Sequence, residues 1–104
     1  MPKAAQQAVD FAYLERFAAG DLGLVGEVLD IFAEQAAIWR PHLDPQDPGW
    51  RDVTHTVKGS ARGIGAHALG EACAQAEAEG PGGLAEVVRA LDAALAEIAA
   101  YPRA

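Results

Sequence analysis

Residues 50–66 read WRDVTHTVKGSARGIGA, and they contain both an apolar helical face and a polar one. On an α-helix, where successive residues are about 100° apart, Val53, Val57 and Ile64 share one side. His55 lies on the opposite side. The stretch therefore predicts an amphipathic helix, from about residue 48 to 63, that buries its apolar side and presents His55 to solvent.

The chain on both sides of this helix also divides into helical stretches, separated by Gly and Pro. Asp10 and Asp21 are suited to capping the first two helices, and Asp47-Pro48 is suited to starting the central one. Gly65 is suited to ending the central helix. Apart from the central one, the predicted helices are a short helix from residue 11 that Gly20 ends, one from the Asp21 cap to Pro41, one over about residues 66–79, and one over residues 84–98.

Each predicted helix has apolar residues at helical spacing, which indicates the side that faces the core. The last helix shows the clearest 3.6-residue period. We expect the inward positions to be Phe11, Leu14 and Phe17 in the first helix; Leu24, Val25, Val28, Phe32 and Gln35 in the second; Leu69, Ala72, Cys73 and Ala76 in the fourth; and Leu84, Val87, Val88, Leu91, Leu95 and Ile98 in the last. For the group in the first helix, the alternative is that one side of it extends a surface for docking a partner.

Length and composition favour one all-α domain over residues 1–104. Hydrophobic residues make up 51% of the chain, but alanine supplies much of this fraction and aromatic residues only 7%. Such a composition favours helices over strands, and short connections favour antiparallel neighbours. The predicted fold is an antiparallel, up-down-up-down four-helix bundle preceded by one short helix.

Charge and targeting signals limit the classes of partner. The net charge of −7 argues against nucleic acid as the main partner. No stretch approaches the roughly 20 apolar residues of a membrane span, and charged residues interrupt the N-terminal region where a signal peptide would lie. The single cysteine, Cys73, excludes an internal disulfide. We expect a cytoplasmic, monomeric protein.

The basic residues are concentrated around His55. Three of the eight, Arg51, Lys58 and Arg62, fall within twelve positions. Gly59 lies four residues after His55, although glycine inside a helix costs about 1 kcal/mol relative to alanine. It either clears space beside the ring or permits close helix packing, and its side of the helix favours the first. An exposed imidazole with a cation and cleared space beside it suits a group that receives a bulky anion from another protein.

The chemistry of imidazole fits this interpretation. A histidine ring is largely neutral near pH 7 and is then a nucleophile. Attack on an acyl phosphate gives a phosphoramidate, which is reactive enough to pass the phosphoryl group onward. Phosphoryl transfer depends mainly on alignment and charge neutralisation, and Lys58 can supply a positive charge. The sequence has no Gly-rich phosphate loop and no carboxylate cluster for Mg²⁺, so a partner must supply the metal.

The segment Thr54-His55-Thr56-Val57-Lys58-Gly59-Ser60-Ala61-Arg62-Gly63-Ile64-Gly65-Ala66 resembles the signature of the histidine phosphotransfer (HPt) domain family. The regions from Phe11 to Phe32 and from Leu69 to Glu77 also resemble that family, so the similarity covers most of the chain. The resemblance implies a helical bundle that carries a phosphoryl group between receiver domains in a two-component phosphorelay.

The resemblance also implies residue roles. His55 would be the phosphoryl acceptor, and Lys58 and Gly59 would shape the surface that meets a receiver domain. Arg62 is a further candidate for contact with phosphate or partner. Many relatives have Gln where this chain has Glu77, which could accept a hydrogen bond from His55 Nδ1 and leave Nε2 as the nucleophile.

We expect a stand-alone phosphocarrier that has no kinase activity and no cofactor of its own, with Mg²⁺ bound by the partner receiver. One alternative is an HPt-like interaction protein that sequesters receivers or a kinase without relaying phosphate. Another is a metal-binding helical bundle that uses His42 or His67, although neither histidine has a second histidine or cysteine at helical ligand spacing.

Overall fold

The computed structural model describes residues 7–103, in which all regular structure is helical. Two short 3-10 turns, Arg40–His42 and Pro81–Gly83, lie between helices. The five α-helices are α1 (Phe11–Phe17), α2 (Leu22–Trp39), α3 (Trp50–Ile64), α4 (His67–Glu79) and α5 (Leu84–Ala100).

Four of the helices close into a ring. Helix α3 packs between α2 and α4, and α5 packs against both α4 and α2. Short connections make consecutive helices antiparallel. The short α1 lies against α2 and α3 at one end of the bundle. The predicted all-α bundle with an additional N-terminal helix is confirmed.

The first two helices begin where the sequence predicts. The side chain of Asp10 accepts a hydrogen bond from the Tyr13 N–H at 3.0 Å. Asp21 likewise accepts from the Leu24 N–H at 3.1 Å. Each carboxylate satisfies a backbone donor that has no partner within its helix, so the two aspartates fix where α1 and α2 start.

Gly65 ends α3 and joins it tightly to α1 and α4. Its φ of +83° is in the left-handed region, and the Ala66 N–H reaches back to the Ala61 carbonyl at 2.8 Å. A side chain at this position would come within 2.9 Å of the Asp10 carbonyl oxygen. Glycine is therefore required both for the backbone conformation and for the close approach of α1.

The inner positions of α4 and α5 are largely as predicted, whereas those of α1 and α2 differ. In α1, Leu14 is buried but Phe17 is 78% exposed, so its predicted place in the core is wrong. In α2, Leu24 and Gln35 lie outside the core. The buried side of that helix consists of Val25, Leu29, Phe32, Ala36 and Trp39.

The difference in α2 arises because the helix carries two adjacent apolar stripes. The inner stripe packs into the bundle, while the second remains at the surface next to α3. We call this second set the outer stripe of α2. It consists of Leu24, Val28, Ile31, Gln35 and Ile38, of which Ile31 and Ile38 are 58% and 61% exposed.

The start of α3 is also later than predicted. Asp47 and Pro48 precede the helix, which begins at Trp50 with Gly49 as its N-cap residue. The Asp47 carbonyl accepts from the Trp50 N–H at 3.2 Å, and its carboxylate accepts from the Gly49 N–H at 3.2 Å. Asp47 thus forms a turn ahead of the helix instead of capping it, which moves the helix start by two residues.

One polar residue of α3 is buried, although it is not part of the apolar side that the sequence predicts for this helix. Thr54 is fully buried, and its hydroxyl donates to the Trp50 carbonyl at 2.7 Å, which satisfies its hydrogen bond within the helix. Because Thr54 is buried in the bundle, the adjacent His55 faces outward. Within residues 7–103, no helix combines the length and the apolar character that crossing a bilayer requires.

Candidate functional site

His55 lies on the solvent-facing side of α3, with 70% of its side chain exposed. The packing of this helix sets that orientation, because Thr54 and Val57 are fully buried on the other side. The ring is held at one edge only. Its Nδ1 lies 2.9 Å from Oε2 of Glu77, which α4 places opposite.

Glu77 connects the histidine to Lys58. Its Oε1 is enclosed and receives no aligned hydrogen bond from the described residues, but the Lys58 ammonium forms an ion pair with it at 2.5 Å. The Lys58 ammonium, followed by the His55 ring, lowers the pKa of the Glu77 carboxyl despite its partial burial. Glu77 is therefore ionised at neutral pH.

This charge state determines the tautomer of His55. An ionised carboxylate can only accept hydrogen bonds, so the hydrogen of the contact must be on Nδ1. A neutral ring that carries its hydrogen on Nδ1 has its lone pair on Nε2. The arrangement thus presents a nucleophilic nitrogen on the exposed edge of the ring, away from Glu77.

The structure gives Lys58 a different position from the one that the sequence suggested. We expected its cation near the reacting nitrogen, but Nζ lies on the Glu77 carboxylate and the side chain is only 20% exposed. Lys58 therefore balances the charge of Glu77 and acts on His55 through that residue.

Gly59 and Gly63 leave bare backbone on the exposed side of α3. Among the residues that the structure describes, a Cβ atom added at either position would have no atom within 4 Å outside the adjacent backbone of α3. The alternative that Gly59 permits close helix packing is therefore wrong. Since the fold does not need either glycine, the cleared surface beside His55 calls for a functional explanation.

The chain is similar to proteins of known family. Residues 25–101 match the family described as the Hpt domain. The chain belongs to the Hpt domain family. It also resembles the crystal structure of the histidine phosphotransferase ShpA from Caulobacter crescentus, with 62% sequence identity and a TM-score of 0.84 over 90% of this chain and 89% of that one. A search of curated proteins found no match.

Membership of the family connects this site to phosphorelays. Hpt proteins are phosphocarriers rather than kinases, and they interact with receiver domains in two-component signalling. The helical bundle and the exposed histidine of this Hpt domain agree with such a role.

A shallow apolar groove lies between α2 and α3 in this Hpt domain. Part of the outer stripe of α2 lines it together with two inner residues of that helix, and three residues of α3 form the other wall: Val28, Ile31, Phe32, Gln35, Trp39, Ser60, Gly63 and Ile64. Gly63 is about two turns after His55, so the groove lies toward the C-terminal end of α3 from the ring. This surface was missed from the sequence because part of the outer stripe has the spacing of core residues.

The two further cations near His55 occupy different places. The Arg62 side chain lies across Gly70 of α4, where an added Cβ would be 3.1 Å from Arg62 Cγ. The Arg51 guanidinium stacks on Trp50, 4.6 Å from the ring centroid, and donates to the main-chain carbonyl of Glu77 at 2.5 Å. Arg51 therefore contacts Glu77, as His55 and Lys58 do, whereas Arg62 contacts an earlier turn of α4.

The other histidines lie away from these contacts. His42 Nδ1 is 3.4 Å from Asp47 Oδ1, and His67 Nε2 is 3.7 Å from Asp10 Oδ2. Residues 7–103 contain no group of three His, Cys, Asp or Glu side chains that could hold a metal ion. The metal-binding alternative therefore has no supporting cluster in the described part of the chain.

Proposed function

We propose that this protein is a phosphorelay carrier in which His55 Nε2 accepts a phosphoryl group from the aspartyl phosphate of one receiver domain and passes it to the aspartate of another. The observation that supports this proposal most directly is the fixed orientation of the His55 ring. Nδ1 is bound by an ionised Glu77 at 2.9 Å, while the opposite edge of the imidazole is open to solvent.

The transfer needs no group beyond those of the two proteins and the partner's metal. The Nε2 lone pair forms the N–P bond as the P–O bond of the aspartyl phosphate breaks, and the aspartate leaves as a carboxylate. The ring gains positive charge and keeps its hydrogen on Nδ1. Glu77 stabilises that charge through the hydrogen bond, and the same steps in reverse deliver the phosphoryl group to the second receiver.

Lys58 and Gly59 have supporting parts in this proposal. The Lys58 ion pair keeps Glu77 ionised, which preserves the acceptor for Nδ1–H, and it reduces the repulsion between Glu77 and an incoming phosphoryl group. Gly59 leaves room for the receiver's active-site loops beside the ring. Arg62 would contact the partner at the rim of the surface, since its exposed side chain lies over α4.

The groove between α2 and α3 supports a docking role for the same face. A receiver that delivers phosphate to Nε2 must cover the surface around His55. The outer stripe of α2 offers exposed apolar area next to the C-terminal half of α3, with Ile31 and Ile38 among its largest side chains. Apolar patches of this kind often mark protein interfaces. We therefore place the receiver over α3 and the outer stripe.

The remaining functions come from the partner. The proposed carrier does not phosphorylate itself from ATP, uses no cofactor of its own, and relies on Mg²⁺ bound to the receiver. Its net charge of −7 disfavours nucleic acid as a partner. We infer that it works in the cytoplasm as a monomer.

A two-step relay tests this proposal. The purified protein is incubated with one ³²P-labelled receiver, isolated, and then mixed with a second, unlabelled receiver. The proposal predicts that label enters the protein and then appears on the second receiver, whereas ATP alone labels nothing. A protein that binds both receivers but takes no label would instead be a sequestering protein, and the relay proposal would be wrong.

A further inference from the structure

Arg51 lies one helical turn before His55, on the same exposed side of α3. The Cβ atoms of residues four apart in a helix are about 5–6 Å from each other. Side chains on a helix lean toward its N-terminus, so the His55 ring leans toward the turn that carries Arg51. The two side chains also meet the same residue, since Nδ1 of His55 contacts Glu77 Oε2 and Nη1 of Arg51 contacts the Glu77 carbonyl.

The guanidinium of Arg51 is held in place by two contacts. If α4 continued, the Glu77 carbonyl would accept from the N–H of residue 81, but the helix ends at Glu79 and Pro81 has no N–H. Arg51 Nη1 supplies the missing donor. Stacking on Trp50 holds the other side of the guanidinium. The side chain is thus positioned before any partner arrives.

The positive charge of Arg51 is not balanced by a carboxylate. Among residues 7–103, Lys58 pairs with Glu77, and the other paired cations are Arg40, Arg89 and Arg103. No carboxylate lies within ion-pair distance of Arg51 in this part of the chain. A guanidinium has five N–H donors and the carbonyl contact uses one, so donors remain for an anion.

We propose that Arg51 binds the phosphoryl group of phosphorylated His55 and neutralises its charge during transfer. This inference rests on the proposed function and identifies the cation that faces the phosphoryl oxygens. Lys58 then acts as a positioning residue through Glu77, while Arg51 contacts the group that is transferred. Guanidinium and phosphate match in shape and form strong charge-assisted hydrogen bonds.

Arg51→Gln and Arg89→Gln form a matched pair of variants for the test. Each removes one positive charge from an exposed helix surface, the first from α3 and the second from α5, outside the site. The glutamine that replaces Arg51 keeps an N–H donor for the Glu77 carbonyl. Two quantities are measured: the rate of phosphoryl transfer from a labelled receiver, and the pH midpoint of the ³¹P NMR signal of the phosphorylated histidine. A third variant, Arg51→Lys, keeps the charge but loses the planar fork.

Loss of the Arg51 charge should slow transfer by about tenfold, as for removal of a charge-assisted contact. It should also raise the ³¹P titration midpoint, because a nearby cation favours the more highly charged form of the phosphoryl group. Arg89→Gln should leave the midpoint unchanged and the rate within about twofold, and Arg51→Lys should lie between wild type and Arg51→Gln. If Arg51 served only to satisfy the Glu77 carbonyl at the end of α4, its loss would not change the ³¹P titration midpoint.

An unchanged midpoint in Arg51→Gln, or equal losses of rate in Arg51→Gln and Arg89→Gln, would overturn the assignment of Arg51. Thermal melts show whether each variant is folded at the temperature of the NMR measurement. If Arg51→Gln is not folded, Arg51→Lys decides: a raised midpoint with a rate reduced by less than about tenfold supports the assignment, and a wild-type midpoint overturns it. Wild-type protein that takes no label from any receiver would contradict the proposed function instead.

Discussion

Replacing Gly59 with glutamine should make the protein more stable and abolish its phosphorylation by a receiver. Gly59 is exposed within α3, and a Cβ atom built there meets no atom within 4 Å. Glycine inside a helix costs about 1 kcal/mol relative to alanine, and glutamine is nearly as good a helix former as alanine. The substitution therefore adds helix propensity and creates no clash in the isolated protein.

The expected gain is about 0.5–1 kcal/mol, which for a domain of this size corresponds to a rise in Tm of about 3–6 °C. A thermal melt followed by circular dichroism measures it. In the transfer assay, the long side chain at residue 59 should cover the approach to His55 Nε2 and prevent labelling. Gly59→Ala adds only one methyl group, so it should show a similar gain in stability with a smaller loss of transfer.

Two further glycines serve as controls for the stability argument. Gly63→Ala is on the same exposed side of α3 and also in open space, so it should stabilise the fold by a similar amount. Gly83→Ala should destabilise it, because the added Cβ would be 3.0 Å from the Ala76 Cα. If Gly59→Gln lowered Tm and still accepted phosphate at the normal rate, the reasoning about Gly59 would be refuted.

Two other predictions concern ionisable groups. Lys58 and His55 lower the pKa of Glu77. The contacts of Glu77 therefore stabilise the folded protein fully at pH values above the ordinary pKa of glutamate, and this stabilisation is lost as the pH falls through the lowered pKa. The difference in unfolding free energy between wild type and Glu77→Gln, measured with urea, should therefore shrink toward acidic pH; a difference that grew there would contradict the ion pair. Burial raises the pKa of the Cys73 thiol to about 12, so the native protein should react with a thiol reagent at pH 8 only as fast as it unfolds, and rapid labelling would show that Cys73 is accessible.

Local sequence signals were sufficient for much of the fold. The capping roles of Asp10 and Asp21 and the C-terminal role of Gly65 depend on neighbours within a few residues, which the sequence displays. The period of α5 is likewise complete within one segment. These elements are therefore found in the structure where the sequence predicts them.

The errors arose where the outcome depends on distant parts of the chain. Helix α2 has two apolar stripes, and only its packing against α3 and α5 decides which one is buried. Asp47 could cap a helix or form a turn, and the structure has the turn. Phe17 has the spacing of a core residue but lies at the end of a short helix, where no neighbouring element covers it.

The predictions about the site also divide into those that depend on local sequence and those that depend on distant parts of the chain. The exposure of His55 followed from the helical position of its neighbours, and the open space at Gly59 followed from its spacing. The direction of the Lys58 side chain did not, because it is set by Glu77 on another helix. The contact of Arg51 with the Glu77 carbonyl also depends on α4, which ends at Glu79 just before Gly80 and Pro81.

The most direct test of the account is to locate the phosphoryl group after incubation with a phosphorylated receiver. Wild-type protein and His55→Gln are compared, since the variant retains His42 and His67 as the other possible acceptors. We expect an acid-labile label on the wild-type protein, mapped by mass spectrometry to His55, and no label on the folded variant. Label of normal intensity on His55→Gln, at either remaining histidine, would contradict it.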